Sequence, residues 1–562
     1  MIILSHRHSG MRLVYVVLAV VLVCSAHFTL APGSGPNKAQ AQPMTTATVT
    51  PSSGPIAGGT EITITGDGIK PGNTAFKSMS SSLYHTCAIS EDNEVYCWGL
   101  GASGQLGNGD VADSSVPVRV LTSDDDPDSA LPGGVAIEFI AAGVSNTCAA
   151  TASDIYCWGA DSYGKLGNGG TTGSVTKPTK VFDDADDPQS KLTASGTVTD
   201  LTAGAHFVCA VKDNYFIYCW GDGQYGALGN NASASSSLPV RTVQGAIASD
   251  VVHISAGGLH TCYSAANNEI WCWGYGYYGQ IGDGTTYQTS MRPYKVQTNA
   301  DSASSQLPSG VDILAVSSGY YHTCVLASDG AAYCWGRNLE GQLGTNNGTV
   351  LGQNPRARKV RNYAENTDSE LPAGVKFVSL ASGKYHSCAL GDDDNIYCWG
   401  RGTGGQLGDG APYTSGTAIR VRKDADDTRS ALPASATINF LVAGDSSCAV
   451  TEYDGTYCWG VGSDGQMGNG TTTASNPWAV QVDTELPLTI TLVNANGAAG
   501  CTITDIDSAG KWVKCTTSAH IAGLVNVVVS NGTQSIVIND GYLYGKAVDP
   551  SAPHAPNAGV SI

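Results

Sequence analysis

One motif recurs seven times and decides what this chain can fold into. The stretch from His85 to Gly109 reads HTCAISEDNEVYCWGLGASGQLGNG, and its core is Y-C-W-G. That core returns with its cysteine at Cys97, Cys157, Cys219, Cys272, Cys334, Cys398 and Cys458, at separations of 60, 62, 53, 62, 64 and 60 residues, the fourth copy reading W-C-W-G. A unit of this length repeated in series is one supersecondary structure that buries its faces only against its neighbours.

Each unit reads as strand throughout. An apolar run ending in small residues and glycine, such as EFIAAG at 138–143 or SLASG at 379–383, precedes a short strand centred on a cysteine. A polar turn, the Y-C-W-G strand, a glycine-rich turn of the GQLGNG type and a fourth strand such as PVRVL at 117–121 follow. Four antiparallel strands cannot bury both faces of their own sheet, whereas seven such sheets packed radially can. Helix signals are nearly absent, and 70 glycines and 25 tyrosines suit turn-rich sheets. The C-A-[LIV], Y-C-W-G and G-Q-L-G elements together resemble the regulator of chromosome condensation repeat over about residues 75–484. That resemblance implies a seven-bladed β-propeller. Asn146 in the second unit and Ser446 in the seventh replace its usual histidine.

The apolar run Leu13–Val23 follows Arg7 and Arg12, the pattern of a secretory signal, with A-Q-A at 39–41 and C-S-A at 24–26 as candidate cleavage sites. A weak continuation to Ala31 keeps an uncleaved membrane anchor as the alternative. Residues 1–43 are therefore set apart as signal or anchor plus linker, and the expected location is extracellular or cell-surface. Cysteine usage agrees with export. Apart from Cys24, fourteen cysteines fall as within-unit pairs: Cys87 with Cys97, Cys148 with Cys157, Cys209 with Cys219, Cys262 with Cys272, Cys324 with Cys334, Cys388 with Cys398, and Cys448 with Cys458. Each pair sits on neighbouring strands of one hairpin, where facing side chains are about 5 Å apart, within disulfide reach. Buried free thiols are the alternative. No C-x-x-C spacing supports zinc, and no metal or cofactor is expected.

The two ends of the chain belong together. Residues 45–69, TTATVTPSSGPIAGGTEITITGDGI, resemble the start of an IPT/TIG domain, an immunoglobulin-like sandwich, but hold only two strands. Residues 486–545 carry LTITLVN, the further pair Cys501 and Cys515, and CTTSAHIAGLVNVVVSNGTQSIVINDGYLYG, which resembles the second half of the same domain. The expected fold is all-β: a propeller at 75–484 inserted into a β-sandwich built from 44–74 and 485–545, with a disordered proline-rich tail at 546–562. The termini of a circular array lie side by side, so they can re-enter one loop.

The repeated residues have structural explanations. Trp98, Trp158, Trp220, Trp273, Trp335, Trp399 and Trp459 are expected in the packing between units. His85, His260, His322 and His386 recur at one turn, where an imidazole bridges backbone groups. No nucleophile elbow, no H-E-x-x-H and no carboxylate pair unlike its copies is present, so the chain does not read as an enzyme; a site spread over several blades is the alternative. The third unit is the shortest, and its trimmed last connection either opens access or meets the sandwich.

Loop composition separates two faces. With the strands of a unit named A to D, the B–C and D–A connections carry Asp124, Asp125, Asp126 and Asp128, Asp183, Asp184, Asp186 and Asp187, Asp424, Asp426 and Asp427, and Glu91, Asp92, Asp392, Asp393 and Asp394. A solvated rim is the plain reading, and a calcium or basic-partner site the other; no loop fits the D-x-D-x-D-G pattern. The A–B and C–D turns are nearly uncharged and aromatic. Tyr84, Phe207, Tyr320, Tyr321 and Tyr385 lie on the first, and Tyr163, Tyr225, Tyr275, Tyr277 and Tyr278 on the second. Tyrosine gives large contact area at low entropy cost, which is what protein or glycan recognition uses.

The formal charge of −19 makes nucleic acid a poor partner. The family resemblance implies nucleotide exchange on the small GTPase Ran, inhibition of a β-lactamase by a secreted bacterial propeller, or an exported binding scaffold. The sequence favours the last: a non-enzymatic recognition module for a protein or glycan, working through the aromatic face.

Overall fold

Residues 76–481 form seven four-stranded antiparallel sheets, each in simple A-B-C-D order, at 76–119, 139–180, 198–241, 251–295, 313–359, 377–420 and 438–481. The chain as described in this computed structural model comprises residues 45–544, apart from 52, 55–58, 68–71, 74–75, 214, 244–249, 346–351, 453–454, 487–488, 495–496, 507–511, 518–522 and 531–534. The apolar leader, Cys24 and the tail lie outside the described residues. Among those described, no helix is long and apolar enough to cross a membrane.

Each sheet's A strand lies against the next, and the A strand of sheet seven, Ile438–Ala443, meets that of sheet one, Phe76–Ser81. The buried indoles tie the sheets together. Trp158 Nε1 donates to the Gln105 carbonyl at 2.9 Å, Trp220 to Lys165 at 3.1 Å, Trp273 to Ala227 at 2.8 Å, Trp335 to Gln280 at 2.9 Å, Trp399 to Gln342 at 2.9 Å and Trp459 to Gln406 at 3.0 Å. Trp98 closes the ring on Gln466 of sheet seven at 3.0 Å. A buried indole needs an acceptor for its N–H, and the preceding sheet's glycine-rich turn supplies it. That turn must come close: a Cβ on Gly107 would stand 2.6 Å from Trp158 Nε1, at a φ of +69°.

The paired cysteines face one another in register, Cys87 opposite Cys97 and so on through Cys448 opposite Cys458. All seven pairs are disulfides, as is Cys501–Cys515. Closing a loop this short contributes about 2–3 kcal/mol in the chain-entropy model.

The histidines act differently from expectation. They reach the B-strand hydroxyl of the following sheet rather than bridging backbone groups: His85 Nε2 to Thr147 Oγ1 at 2.8 Å, His260 to Thr323 at 2.8 Å, His322 to Ser387 at 2.8 Å and His386 to Ser447 at 2.7 Å. Thr147 donates its own proton to the Gln105 carbonyl at 2.9 Å, so it accepts from His85, which fixes the Nε2–H tautomer. Phe207, expected on the aromatic face, is fully buried. It lies two residues before Cys209, as His85 lies before Cys87, and so occupies the histidine slot of sheet three.

Five D–A connections drop a leucine into the groove between sheets; Leu131, Leu192, Leu307, Leu371 and Leu432 are all buried. The short connection after sheet three has no such leucine. Tyr263 stands in sheet four where five other sheets have alanine, and it is fully buried beside Phe207, Ile254 and Trp273. The trimmed loop is thus matched by an enlarged side chain in the core.

Residues from both chain ends share one eight-stranded sheet. Glu61–Asp67 pairs antiparallel with Trp512–Thr517, and Ser53–Gly54 pairs parallel with the strand Ser535–Tyr544. The long strand Gly497–Ile506 pairs first with Thr489–Asn494 and then with Trp512–Thr517. Val49, Ile62, Ile64, Leu492, Val513, Val527 and Val529 form its core around Cys501 and Cys515.

Candidate binding face

Antiparallel order places the A–B and C–D turns on one face. Seven of the eight candidate tyrosines meet there in one continuous arc. Tyr225 packs on Tyr275 with ring centroids 4.8 Å apart; Tyr275 meets Tyr277, Tyr278 and Tyr321 at 6.0–6.2 Å. Tyr278 meets Tyr321 at 5.3 Å, Tyr321 meets Tyr320 at 4.7 Å, and Tyr321 stacks on Tyr385 at 6.2 Å. Tyr163 stands apart from this group and pairs with His206 at 5.9 Å. Sequence reasoning missed Tyr287, which is 62 % exposed and 4.6 Å from Tyr277, although it lies in the same C–D connection. Tyr84 is half-buried, and the pKa of Tyr320 is raised by burial first and then by the hydroxyls of Tyr385 and Tyr84.

The arc ends in cations, which sequence reasoning also missed. Arg337 Cζ lies 4.7 Å from the centroid of Tyr385, Arg401 Cζ 5.7 Å and Lys384 Nζ 5.7 Å. The signal for the two arginines was their place directly after Y-C-W-G in units five and six, Arg337 and Arg401. Arg337 is paired with Glu340 at 2.9 Å and Lys384 with Asp445 at 3.3 Å. Arg401 spends its Nε on Thr403 Oγ1 at 2.9 Å and has no ion pair among the described residues. Burial first, then the neighbouring hydroxyls, push Tyr321 up to about 12. The Tyr321 phenol therefore stays neutral and is able to donate a hydrogen bond.

Beside the arc opens the mouth of the central channel, lined by Leu83, Val144, Ala205, Gly258, Tyr320 and Lys384. Tyr320 lies flat over Gly258, where a Cβ would come within 2.6 Å of its ring. Further in, wall hydroxyls accept backbone N–H groups of the next sheet: Ser80 from Ala142 and Thr202 from Ala256, both at 2.9 Å. Asp200 accepts from its own neighbour Leu201 at 2.8 Å and from Ile254 of the next sheet at 3.2 Å, and enclosure raises its pKa to about 7. That lone carboxylate is a wall fitting.

The acidic face is built from self-paired loops. Arg119 binds Glu94 at 2.5 Å and Asp125 at 2.7 Å; Lys177 binds Asp126 at 2.7 Å; Lys180 binds Asp183 at 3.1 Å and Asp186 at 3.0 Å; Arg420 binds Asp426 at 2.7 Å. Asp184 and Asp424 close their own loops by accepting from Ala194 at 2.8 Å and Ala434 at 2.7 Å. Among the described residues no group of three or more His, Cys, Asp or Glu side chains is placed to hold a metal ion.

The RCC1-like domain matches residues 188–503, more than half of the chain, and the regulator of chromosome condensation (RCC1) repeat matches 76–105, 92–150 and 153–211. The chain belongs to the RCC1-like family. It is 30 % identical over 338 residues to the ultraviolet-B receptor UVR8 of Arabidopsis thaliana, covering 59 % of this chain and 67 % of that one. It is 29 % identical over 282 residues to the human E3 ubiquitin-protein ligase HERC2, covering 50 % of this chain but only 5 % of that one. Among solved structures, Prp20p of Saccharomyces cerevisiae, described with its binding to Gsp1p and histones, shares the fold at a TM-score of 0.52 and 21 % identity, over 66 % of this chain and 81 % of that one. No catalytic constellation stands out among the described residues here.

Proposed function

We propose that this chain is an exported protein-recognition module: a seven-bladed propeller inserted in an IPT/TIG-like sandwich, binding an acidic protein partner through the tyrosine arc. The observation that carries it is the arc itself, an unrepeated feature on a repeated scaffold, ending at an arginine without a carboxylate. The rings favour protein over glycan. Tyr275, Tyr278 and Tyr321 each pack against three or more neighbouring rings, largely tilted or edge-to-face, so most faces that a sugar would stack on are already used. What they leave outward is edges and hydroxyls, suited to a flat, partly polar protein surface.

Eight disulfides fit an oxidising compartment, and the shared sheet at the chain ends supports the split-sandwich reading. An enzyme inhibitor would be the special case of one tight target. The binding of Gsp1p by Prp20p makes a small GTPase the second partner class to test. The experiment is capture from surface extracts, identification of the bound protein, and its titration against the parent, a Tyr277/Tyr278/Tyr320/Tyr321→Ala variant and Arg401→Glu. Loss of affinity in both variants, with melting unchanged, supports the reading. Undiminished binding in both sinks it.

A further inference from the structure

The C–D turns differ in one internal bond, and the difference selects which tyrosines stand outward. In five turns the glutamine of G-Q-[LIM]-G folds back and its Oε1 accepts the backbone N–H two residues earlier: Ser103 to Gln105 at 2.8 Å, Tyr278 to Gln280 at 2.9 Å, Glu340 to Gln342 at 3.0 Å, Gly404 to Gln406 at 2.8 Å and Asp464 to Gln466 at 2.9 Å. None of these five donor residues has a positive φ. In the two remaining turns the glutamine is replaced by Lys165 and Ala227, neither of which offers an acceptor. The residues two positions earlier are Tyr163 and Tyr225, at φ +68° and +61°.

The physical link is a peptide flip. A four-residue turn has two arrangements that differ by rotating its central peptide, and the flipped one puts the third residue at positive φ with its N–H on the other side. A tyrosine is disfavoured there, so the inward arrangement wins wherever an acceptor waits below. With none, an inward N–H would be buried unpaired, which costs more than the strained φ. Tyr163 and Tyr225 are 51 % and 36 % exposed, whereas the glutamine-capped Tyr278 is half-buried against Tyr321. Lys165 itself is fully buried and gives its Nζ to Ser145 Oγ at 2.7 Å.

We propose that Lys165 and Ala227 are positioning residues: by withholding the turn-capping glutamine they turn Tyr163 and Tyr225 outward and extend the recognition face over sheets two and three. The role in recognition rests on the function proposed above, but the positioning is readable without any partner. Tetranitromethane nitration of the intact chain, mapped by peptide mass spectrometry, reports each tyrosine separately. Lys165→Gln is expected to lower nitration of Tyr163 several-fold and leave Tyr225 and Tyr287 unchanged; Ala227→Gln is expected to do the reverse. Lys165→Ala, which copies sheet three, should leave Tyr163 reactive, separating the missing cap from the lost amine. Gln280→Ala runs the same test backwards and should raise nitration of Tyr278, so the idea stands or falls even if an introduced glutamine perturbs folding.

Unchanged nitration of Tyr163 in Lys165→Gln, or equal loss in Lys165→Gln and Lys165→Ala, would overturn the proposal. If nitration shifts as stated but an identified partner binds Lys165→Gln and Ala227→Gln as tightly as the parent, positioning holds and the recognition role of these two tyrosines fails.

Discussion

The histidine belt predicts a steep acid limit that one substitution should blunt. His85, His260 and His322 are held down to about 3 and His386 to about 4, in each case mainly because burial penalises the imidazolium. A histidine in the unfolded chain titrates near 6.5. Each of these groups is neutral in both states above that pH, so its effect appears only as pH falls from 6.5 towards 3, where the unfolded chain takes up a proton that the native state refuses. The loss is about 1.4 kcal/mol per pH unit for each histidine, hence about 2.7 kcal/mol each at pH 4.5 and on the order of 10 kcal/mol for the four. A domain's whole stability is about 5–15 kcal/mol. Carboxylates in ion pairs, such as Asp125 at about 2, lose their contribution as the pH falls from the ordinary carboxylate range towards 2, so the window above pH 4.5 belongs to the histidines. His206 and His253, also lowered by burial, act in the same sense, while Asp200, raised to about 7, opposes them by gaining stability as the pH drops. Phenylalanine already fills this slot as Phe207, so His322→Phe is a tolerated shape. At pH 7.5 it should cost about 1 kcal/mol for the lost bond to Ser387. At pH 4.5 it should exceed the parent by roughly 1–2 kcal/mol, the balance of these two effects. Urea titrations across pH 7.5–4.5 read both, and proton uptake on unfolding should fall by about one. Parallel stability curves for the parent and His322→Phe would refute the reasoning.

Three further outcomes follow from the same geometry. Arg401→Glu reverses the cation at the end of the arc and should weaken an acidic partner at least tenfold, about 1.4 kcal/mol, with no change in melting; calorimetric titration checks it. Gly258→Ala would put a Cβ within 2.6 Å of the Tyr320 ring, so that ring must lift from the channel mouth, and nitration of Tyr320 should rise while Tyr287 stays constant. Replacing Cys324 and Cys334 together by alanine should cost about 2–3 kcal/mol in denaturant unfolding without changing affinity, since that disulfide lies in the buried wall between sheets.

Contacts within a sheet were legible because spacing alone determines them. A ten-residue interval across one hairpin brings Cys87 opposite Cys97, and any strand reading of the motif gives that pairing. Contacts between sheets were not, because they join residues some sixty positions apart whose meeting depends on how one sheet leans on the next. The bond from His85 to Thr147 and the ion pair that Lys177 of sheet two makes with Asp126 in the loop after sheet one are of this second kind. Two features were written in the sequence and passed over. Phe207 stands at the same distance from its cysteine as His85 does, and Lys165 and Ala227 break the G-Q-L-G pattern two residues after Tyr163 and Tyr225. Each is a departure from a repeat, and reading the repeat as a consensus hides it.

Those departures are where function has to be sought in a fold of this type. The indole bonds, disulfides and histidine bonds recur from sheet to sheet, and what recurs equally around a ring cannot distinguish one side of it from another. A partner that binds in one orientation must read what does not recur. The unrepeated residues of the turn face run from Tyr163 in sheet two through the tyrosines of sheets three to five to Tyr385 and Arg401 in sheet six, while the corresponding C–D positions of sheets one and seven are Ser103 and Asp464. The opposite face, though richer in charge, repeats its acid-and-base pairing from loop to loop and so offers little that is unique. The asymmetry of the aromatic arc, more than its hydrophobicity, is therefore the reason to place recognition there, and it requires that a bound partner sit off the ring axis, over sheets two to six.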